Sequence, residues 1–391
     1  MQTSQPSEPS RGDLIDLHGP AAAGGVVPAE QLKIDVTRKR PKSPGYWRQT
    51  WRRFRKNWLA LLALGLVVLL ALVAIFSPAI VGTKPLVVRY KGDYYFPAMG
   101  YFEESWENPV FQKDRFRKQY RSKLYEKDPD AWAIWPLVFQ DPGRRVKANE
   151  WPGREANPNR DRGVPSKMNL FGTNNNGVDV FAQMVHGTRT ALLVGFISMG
   201  IAASIGVTVG AIAGYFGGWI DAVLSRLIEV VICVPTLVLI LALIAIVERV
   251  QTWHLMAIIG VTGWTSIARL TRGEFLRLRD FEFVQAARVT GVSTPGIIFR
   301  HILPNAIAPV LVPVTFGIAG AILVESSLSY LGFGPPGVPS WGAMLSEGRR
   351  NTDMYWLILY PGLAIFVAVL CYNLVGEGLQ EATDPRLRER D

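Results

Sequence analysis

The chain has 391 residues, of which 42 are Lys or Arg and 32 are Asp or Glu, so its formal net charge is +10. Its hydrophobic fraction of 49% and its mean hydropathy of +0.17 exclude a disordered chain, a collagen-like chain and a disulfide scaffold. The two cysteines, Cys233 and Cys371, lie inside apolar stretches, where they are interpreted as small hydrophobic residues rather than as a metal or redox pair.

Six long stretches carry no charged residue. Crossing the hydrocarbon core of a bilayer as a helix takes roughly 20 apolar residues, and these stretches reach or approach that length. They predict an all-α integral membrane protein with six transmembrane helices and a small external insertion after the first. The predicted helices cover residues 58–81, 190–214, 229–248, 252–270, 305–331 and 355–377.

The charge is distributed unevenly along the chain. Residues 38–56 contain nine basic residues and no acidic one, which places the N-terminus in the cytoplasm by the positive-inside rule. The composition of residues 1–43 predicts a disordered cytoplasmic tail. The spacing of aromatic and basic residues in 44–57 predicts a basic amphipathic helix on the membrane surface. Six spans return the C-terminus to the cytoplasm. Residues 82–168 are then an external, aromatic-rich insertion with a linker, and residues 169–391 are the transmembrane core.

Small residues recur every four positions in the second predicted span. Such a stripe allows another helix to approach closely, so it predicts helix packing inside a membrane. The stripe consists of Ala202, Gly206, Gly210 and Gly214. Prolines in the third and fifth predicted spans are expected to kink or locally break those helices. These prolines are Pro235, Pro309 and Pro313.

The loop 271–304 joins the fourth and fifth predicted spans on the cytoplasmic side. Residues 281–289 predict a short helix that Gly291 ends, and two small residues, Ala286 and Ala287, make it slim enough to lie in a groove of a partner. An ordinary solvated loop helix is the alternative. The sequence contains no catalytic constellation, phosphate-binding loop or metal-ligand motif, so it predicts no catalytic or metal-binding residue and no enzyme activity.

This loop resembles the signature of permease subunits of binding-protein-dependent ABC importers, which is Glu-Ala-Ala, three residues, Gly, nine residues, a hydrophobic residue, one residue and Leu-Pro. The residues at matching positions are Ala286, Ala287, Gly291, Leu303 and Pro304. Gln285 stands where the family usually has Glu, and His301 stands where it usually has an aliphatic residue. The resemblance implies the fold of a type I importer permease. It also implies that the loop, from Phe281 onward, docks in a cleft of an ATPase subunit and transmits its closure to the spans.

Two further segments, 169–180 and 328–345, resemble the oligopeptide and dipeptide branch of this family. They imply a set of residues for binding-protein docking or for the substrate pathway. These residues are Gly172, Gly177, Asp179, Glu325, Trp341 and Gly342. Glu325, at the outer border of the fifth predicted span, is expected to face the outer vestibule and to meet a peptide amine. The start of the insertion, residues 84–97, resembles that of microcin C-type peptide transporter permeases.

The resemblance implies ATP-driven import of oligopeptides or peptide-like compounds through the bacterial inner membrane by alternating access. The implied partners are a second homologous permease, two cytoplasmic ATPase subunits or domains that bind ATP and Mg, an external solute-binding protein and membrane lipid. No cofactor and no nucleic acid is expected on this chain. The alternatives are a permease of the same family for nickel, opines or other small solutes, a secondary transporter, and a membrane scaffold.

Overall fold

A computed structural model describes residues 46–102, 106, 120–146 and 163–383. The predicted disordered tail, residues 1–43, lies outside the described residues. By its contacts the chain divides into two units, Met1–Tyr46 and Trp47–Asp391. The helices and strands below belong to the second unit, apart from Tyr46, which begins the first helix. Most of the described chain is helical.

Most helices follow one another with short connections, except in the insertion, where α4 lies far along the chain from both α3 and α5. In order they are α1 (Tyr46–Phe54), α2 (Trp58–Ile75), α3 (Ser77–Ile80), α4 (Tyr120–Lys127), α5 (Val180–Phe216), α6 (Gly218–Cys233), α7 (Thr236–Ala245), α8 (Thr252–Gly263), α9 (Thr265–Leu278), α10 (Glu282–Val289), α11 (Leu303–Leu331), α12 (Trp341–Arg350) and α13 (Trp356–Thr383). A π-helical segment, Ile297–Ile302, leads into α11.

Helix α5 organises the bundle, because it contacts α2, α6, α8, α9 and α11. It has 37 residues, which at 1.5 Å per residue corresponds to a length of about 55 Å. Asp179 caps its start, where Oδ1 accepts the backbone N–H of Ala182 at 2.7 Å. We call the end of the bundle at Asp179 the far end, and the end near α10, where α5 finishes, the loop end.

Judged by length and composition, four of the described helices are able to cross a membrane: α2, α5, the helical run Thr294–Leu331 that includes α11, and α13. A fifth span results if α6 and α7 are counted together, although they meet at an angle of 83°. The remaining predicted span, 252–270, is divided between α8 and α9. The count of six spans therefore stays a prediction.

The bend between α6 and α7 follows from Pro235. Proline disfavours the helical region for the residue before it, and Val234 is extended, with φ −86° and ψ 124°. By contrast, α11 continues through Pro309 and Pro313, where a kink or a local break was expected, so these two prolines do not break the helix.

The insertion after α2 contains a small antiparallel sheet, which the prediction of an all-α chain did not include. Its strands are β1 (Val87–Tyr90), β2 (Asp93–Tyr95) and β3 (Trp132–Ile134), in the order β2–β1–β3. The turn between β1 and β2 has two residues with positive φ, Lys91 and Gly92, as tight hairpin turns require. A core of Val88, Tyr90, Leu124 and Ala131 joins the sheet to α4.

Candidate functional site

Helix α10 is anchored to the bundle by its inner side. Val284 is fully buried and Ala287 is nearly so. Both belong to an apolar cluster with Phe275 at the end of α9 and with Ile302 at the entry to α11. Densely packed side chains therefore connect α10 to α9 and to the start of α11.

The other side of α10 is exposed and carries apolar residues together with the charged Glu282 and Arg288. Val289 is 88% exposed and Phe281 is 46% exposed, and Gln285 and Ala286 are exposed between them. Exposed apolar side chains of this size beside charged ones are compatible with a protein-binding site and with a solvated loop helix alike. We call these four residues, Phe281, Gln285, Ala286 and Val289, the loop face.

Gly291 ends α10 in the way that the sequence predicts. Its φ is +75°, in the left-handed region that favours glycine. The N–H of Gly291 bonds to the carbonyl of Arg288 at 3.0 Å, and the N–H of Val292 bonds to the carbonyl of Ala287 at 3.1 Å. A Cβ at Gly291 would meet no atom within 4 Å, so this glycine is required for backbone conformation rather than for space.

The remaining loop residues lie at its two borders. Leu303 packs partly buried against the same apolar cluster as Ala287, while Pro304, in the first turn of α11, is exposed. The Gln285 side chain donates from Nε2 to the backbone carbonyl of Arg279 at 3.4 Å. An amide in the place of the family's usual carboxylate is thus compatible with this loop.

The stripe of small residues packs against the helix that leads into the loop. A Cβ at Gly206 would lie 2.7 Å from the carbonyl oxygen of Trp264, and one at Gly214 would lie 2.6 Å from that of Arg272. A Cβ at Gly210 would contact the carbonyl oxygen of Ala268. Ala202, one step earlier, is completely buried. The stripe therefore allows α9 to pack directly against the backbone of α5. The sequence predicts such packing but does not identify the partner helix.

A cavity of about 420 Å³ opens between these helices in the middle of the bundle. It is bordered by α5, α7, α8, α9 and α11, and no charged residue is among those that line it. The polar lining groups are hydroxyls, while the aromatic and sulfur-containing ones come from α11 and α5. They are Thr236, Thr262, Ser266, Phe316 and Met199. We call this space the bundle cavity.

Residues expected to serve docking or the pathway are buried at the far end, where they hold loops together. Gly172 and Gly177 have φ +76° and +71°, and Gly172 lies beside the indole of Trp356. The Trp341 indole donates to the carbonyl of Met184 at 3.2 Å, and Gly342 lies against the backbone of Ser326. Their side chains and backbones thus form packing contacts in this conformation.

Asp179 is 1% exposed and precedes the first turn of α5. Desolvation by burial raises the pKa of its carboxyl to about 7, although backbone N–H groups of Ala182 and Phe181 act in the opposite direction. Its Oδ2 is buried and has no hydrogen-bond partner. The residue is therefore a helix cap whose second oxygen is desolvated.

Glu325 is buried in this conformation and does not face a vestibule, and its expected contact with a peptide amine stays a prediction. Its side chain is 1% exposed. Three serine hydroxyls donate to it: those of Ser329 and Ser340 at 2.8 Å each to Oε1, and that of Ser326 at 3.4 Å to Oε2. Ser340 is the residue before α12, and its hydroxyl makes no cap bond there. Glu325 therefore holds the start of α12 against α11.

Sequence reasoning gave no role to Arg189, which fixes the insertion to α5. Its Nη1 donates to the carbonyl of Tyr101 at 2.8 Å, and its Nη2 donates to that of Phe102 at 3.3 Å. The guanidinium also lies 4.2 Å from the centre of the Phe102 ring. The Gly-Thr-Arg motif at residues 187–189 was the available signal, but its partners lie 87 and 88 residues earlier in the chain.

Comparison with known proteins places these features in a family. Residues 206–389 match the family model of the binding-protein-dependent transport system inner membrane component, and residues 45–96 match the N-terminal transmembrane domain of oligopeptide transport permease C. The chain is 34% identical to the inner membrane ABC transporter permease protein YejE of Escherichia coli (strain K12), over 86% of this chain and 96% of that protein.

Two further relatives extend the comparison. The peptidoglycan transport system permease protein YejE of Agrobacterium fabrum is 33% identical over 90% of this chain and 96% of its own. The dipeptide transport system permease protein DppC of Alkalihalophilus pseudofirmus is 39% identical over 60% of this chain and 77% of its own.

Proposed function

Because the chain belongs to the binding-protein-dependent transport system inner membrane components, which are permeases of ABC importers, we propose that it carries oligopeptides or peptide-like compounds through the bacterial inner membrane into the cytoplasm. The observation that carries this proposal is the likeness to named transport permeases along nearly the whole length of both chains. Since the family is one of ABC importer permeases, it disfavours a secondary transporter and a membrane scaffold.

The proposed complex contains this chain, a second homologous permease, two ATPase subunits or domains and an external solute-binding protein. ATP and Mg bind to the ATPases, so hydrolysis is the work of other chains. Both termini of this chain lie in the cytoplasm, which the basic residues 38–56 support. The loop end is then cytoplasmic and the far end is external.

In the proposed mechanism the loop face docks in a cleft of the ATPase. Ala286 allows a close approach, and Phe281 and Val289 supply apolar area on either side of it. When ATP draws the ATPases together, Val284 and Ala287 transfer the movement to Phe275 and Ile302, and so to α9 and α11. Both of these helices line the bundle cavity, which makes the cavity the part of this chain that changes shape with the nucleotide cycle.

The lining of the bundle cavity supports a peptide substrate. Its hydroxyl groups at Thr262 and Ser266 suit the amide groups that every peptide has, and its apolar lining tolerates varied side chains. The microcin C-type assignment within the peptide branch rests on the resemblance of residues 84–97 alone. Nickel, opines and other small solutes are the alternative substrates.

Uptake by the complete importer tests the substrate class. Cells that lack their own peptide uptake would express all subunits and receive labelled di- to hexapeptides, nickel or an opine in separate assays. The proposal predicts accumulation of peptide that requires ATP hydrolysis. Accumulation of nickel or the opine without any peptide would contradict it.

Retention of the ATPase tests the docking step. Ala286→Asp and Val289→Asp place a charge on the loop face, and burial of an unpaired charge at an interface is costly. We expect the complex isolated through this chain to retain about tenfold less ATPase. Asn176→Asp, an equally exposed change at the far end, is the control and keeps the ATPase bound. Full ATPase retention and activity in both loop variants would contradict the proposed docking.

A further inference from the structure

The outward side of the small sheet in the insertion is an exposed patch of aromatic and aliphatic residues around one arginine. Arg89 on β1 pairs with Tyr94 on β2 and with Trp132 on β3, so the three residues stand in one row across the sheet. Ile134 and Val87 form the neighbouring row. We call these five residues, Val87, Arg89, Tyr94, Trp132 and Ile134, the sheet patch.

The sheet patch is not part of the insertion's own core. Alternate residues of a strand point to opposite faces, and Val88 and Tyr90 point to the face that packs on α4. On the patch side, Tyr94 is 59% exposed, Ile134 is 50% exposed and Trp132 is 41% exposed. The Tyr94 and Trp132 rings meet edge to face, with centroids 6.0 Å apart, across the middle strand. Two large aromatic side chains are thus ordered against each other while much of their area faces solvent.

Arg89 gives this patch a positive centre. It is exposed, and among the described residues no carboxylate lies within 4.0 Å of its side-chain nitrogens. The surrounding segment 82–189 contains 18 basic and 13 acidic residues, which gives it a net charge of +5. Tyrosine, tryptophan and arginine are the residues that dominate binding energy at protein interfaces. The patch therefore suits a protein surface that presents a carboxylate surrounded by apolar groups.

Hydrogen bonds join the insertion to α5 at the far end and so orient it relative to the bundle. Arg189 of α5 holds the carbonyls of Tyr101 and Phe102. His186, one turn earlier on α5, has its Nε2 2.9 Å from the carbonyl oxygen of Val81. Within the insertion, Tyr101 donates to Asp141 at 3.4 Å, and Thr83 donates to the same carboxylate at 2.9 Å.

We infer that the sheet patch is a docking surface for the external solute-binding protein of this importer. The inference rests on the proposed function, which makes the far end external and supplies a binding protein as the partner that must dock there. The occupant presents a carboxylate to Arg89 and apolar side chains to Tyr94, Trp132 and Ile134. Because the insertion is hydrogen-bonded to α5, docking would also act on α5, the helix against which α9 packs.

Binding of the purified binding protein to the complete importer in lipid nanodiscs tests the inference. The wild-type complex is measured first, for binding and for peptide-dependent ATPase activity. Arg89→Glu and Trp132→Ala are then compared with Lys127→Glu, a charge reversal on α4, on the other side of the sheet. We expect the dissociation constant to rise about tenfold or more in the two patch variants, as removal of a central interface residue does, and to be unchanged in Lys127→Glu.

The outcomes separate the inference from the proposed function. If the wild-type complex binds the protein and transports peptide, but both patch variants bind it with the wild-type dissociation constant, the inference fails and the proposed function stands. If the wild-type complex neither binds such a protein nor transports peptide, the proposed function fails as well. Equal losses in Lys127→Glu and the patch variants would show a general effect of charge or folding, and would also overturn the assignment of the patch.

Discussion

Arg272 and Asp221 form a bidentate salt bridge between the second half of α9 and the first turn of α6. The Arg272 Nη2 donates to Asp221 Oδ2 at 2.7 Å, and its Nε donates to Oδ1. Planar guanidinium groups bind carboxylates most specifically in this geometry. Since α9 leads into the loop and α6 leads into the bend at Pro235, the pair links the docking loop to the bent helices.

Removal of this pair is expected to loosen that link. Arg272→Gln would lower the free energy of unfolding by about 1 kcal/mol, since the side chains of Arg272 and Asp221 are partly exposed and solvent screens them. It would also lower the amount of peptide transported per ATP hydrolysed. Thermal unfolding and coupled uptake assays measure the two effects. The double exchange Asp221→Arg with Arg272→Asp should restore part of both, and Arg226→Gln, which breaks the exposed pair with Glu229, should change neither. Normal coupling in Arg272→Gln would refute the link.

The glycine stripe gives a prediction with a control on the same helix. Gly210→Ala would force a methyl group against the carbonyl oxygen of Ala268, and such overpacking typically costs about 1–3 kcal/mol. Gly200→Ala places the same methyl group where no atom lies within 4 Å. We expect a lower melting temperature and less assembled complex for Gly210→Ala alone. Equal melting temperatures for the two variants would contradict the close packing of α5 on α9.

The buried carboxylate of Glu325 predicts a role for Ser340 in stability. Ser340→Ala removes a hydroxyl that donates to Glu325, and a buried hydrogen bond of this kind contributes about 0.5–1.5 kcal/mol. Ser327→Ala, on α11 like Glu325, removes an exposed hydroxyl that donates only to the carbonyl of Leu323. Thermal unfolding should separate the two variants clearly. If Ser327→Ala is as destabilising as Ser340→Ala, Glu325 does not hold α12 in place.

Asp179 predicts a pH dependence of stability. Its pKa is raised from 3.8 to about 7 by burial, so the native state binds this proton more tightly than the unfolded state does. This contribution to stability is fully present below the ordinary pKa and is lost as the pH rises through about 7. The melting temperature of the wild-type protein should therefore fall between about pH 5 and 8 by more than that of Asp179→Asn, which cannot ionise. Parallel curves for the two proteins would contradict the shift.

The sequence was most informative where a local pattern decides the structure. Pro235 restricts the residue before it, and Gly291 supplies a positive φ, so the bend after α6 and the end of α10 depend on few neighbours. The spacing of Gly206, Gly210 and Gly214 is also a local pattern, and it predicts close helix packing. The identity of the packing partner, α9, depends on tertiary structure and was not accessible.

Sequence reasoning failed where a residue's environment comes from distant segments. Glu325 was assigned to a vestibule because a carboxylate near a membrane is often functional. One of its three donors, Ser340, lies 15 residues later and reaches it because the intervening Gly- and Pro-rich loop folds back. Arg189 was passed over because its partners are in the insertion. The strands β1 to β3 are too short for the insertion's aromatic content to have indicated a sheet.

The length of α5 fixes how its contacts with the insertion are oriented, around the helix axis, relative to its contacts with α9. Arg189, which holds the insertion, and Gly206 to Gly214, which hold α9, belong to one uninterrupted helix. Each residue added or removed between them would rotate one set of contacts relative to the other by about 100° and shift it by about 1.5 Å. An insertion or deletion between Arg189 and Gly206 would therefore break one of the two sets of contacts, so the 16 residues between them are expected to be constant in number.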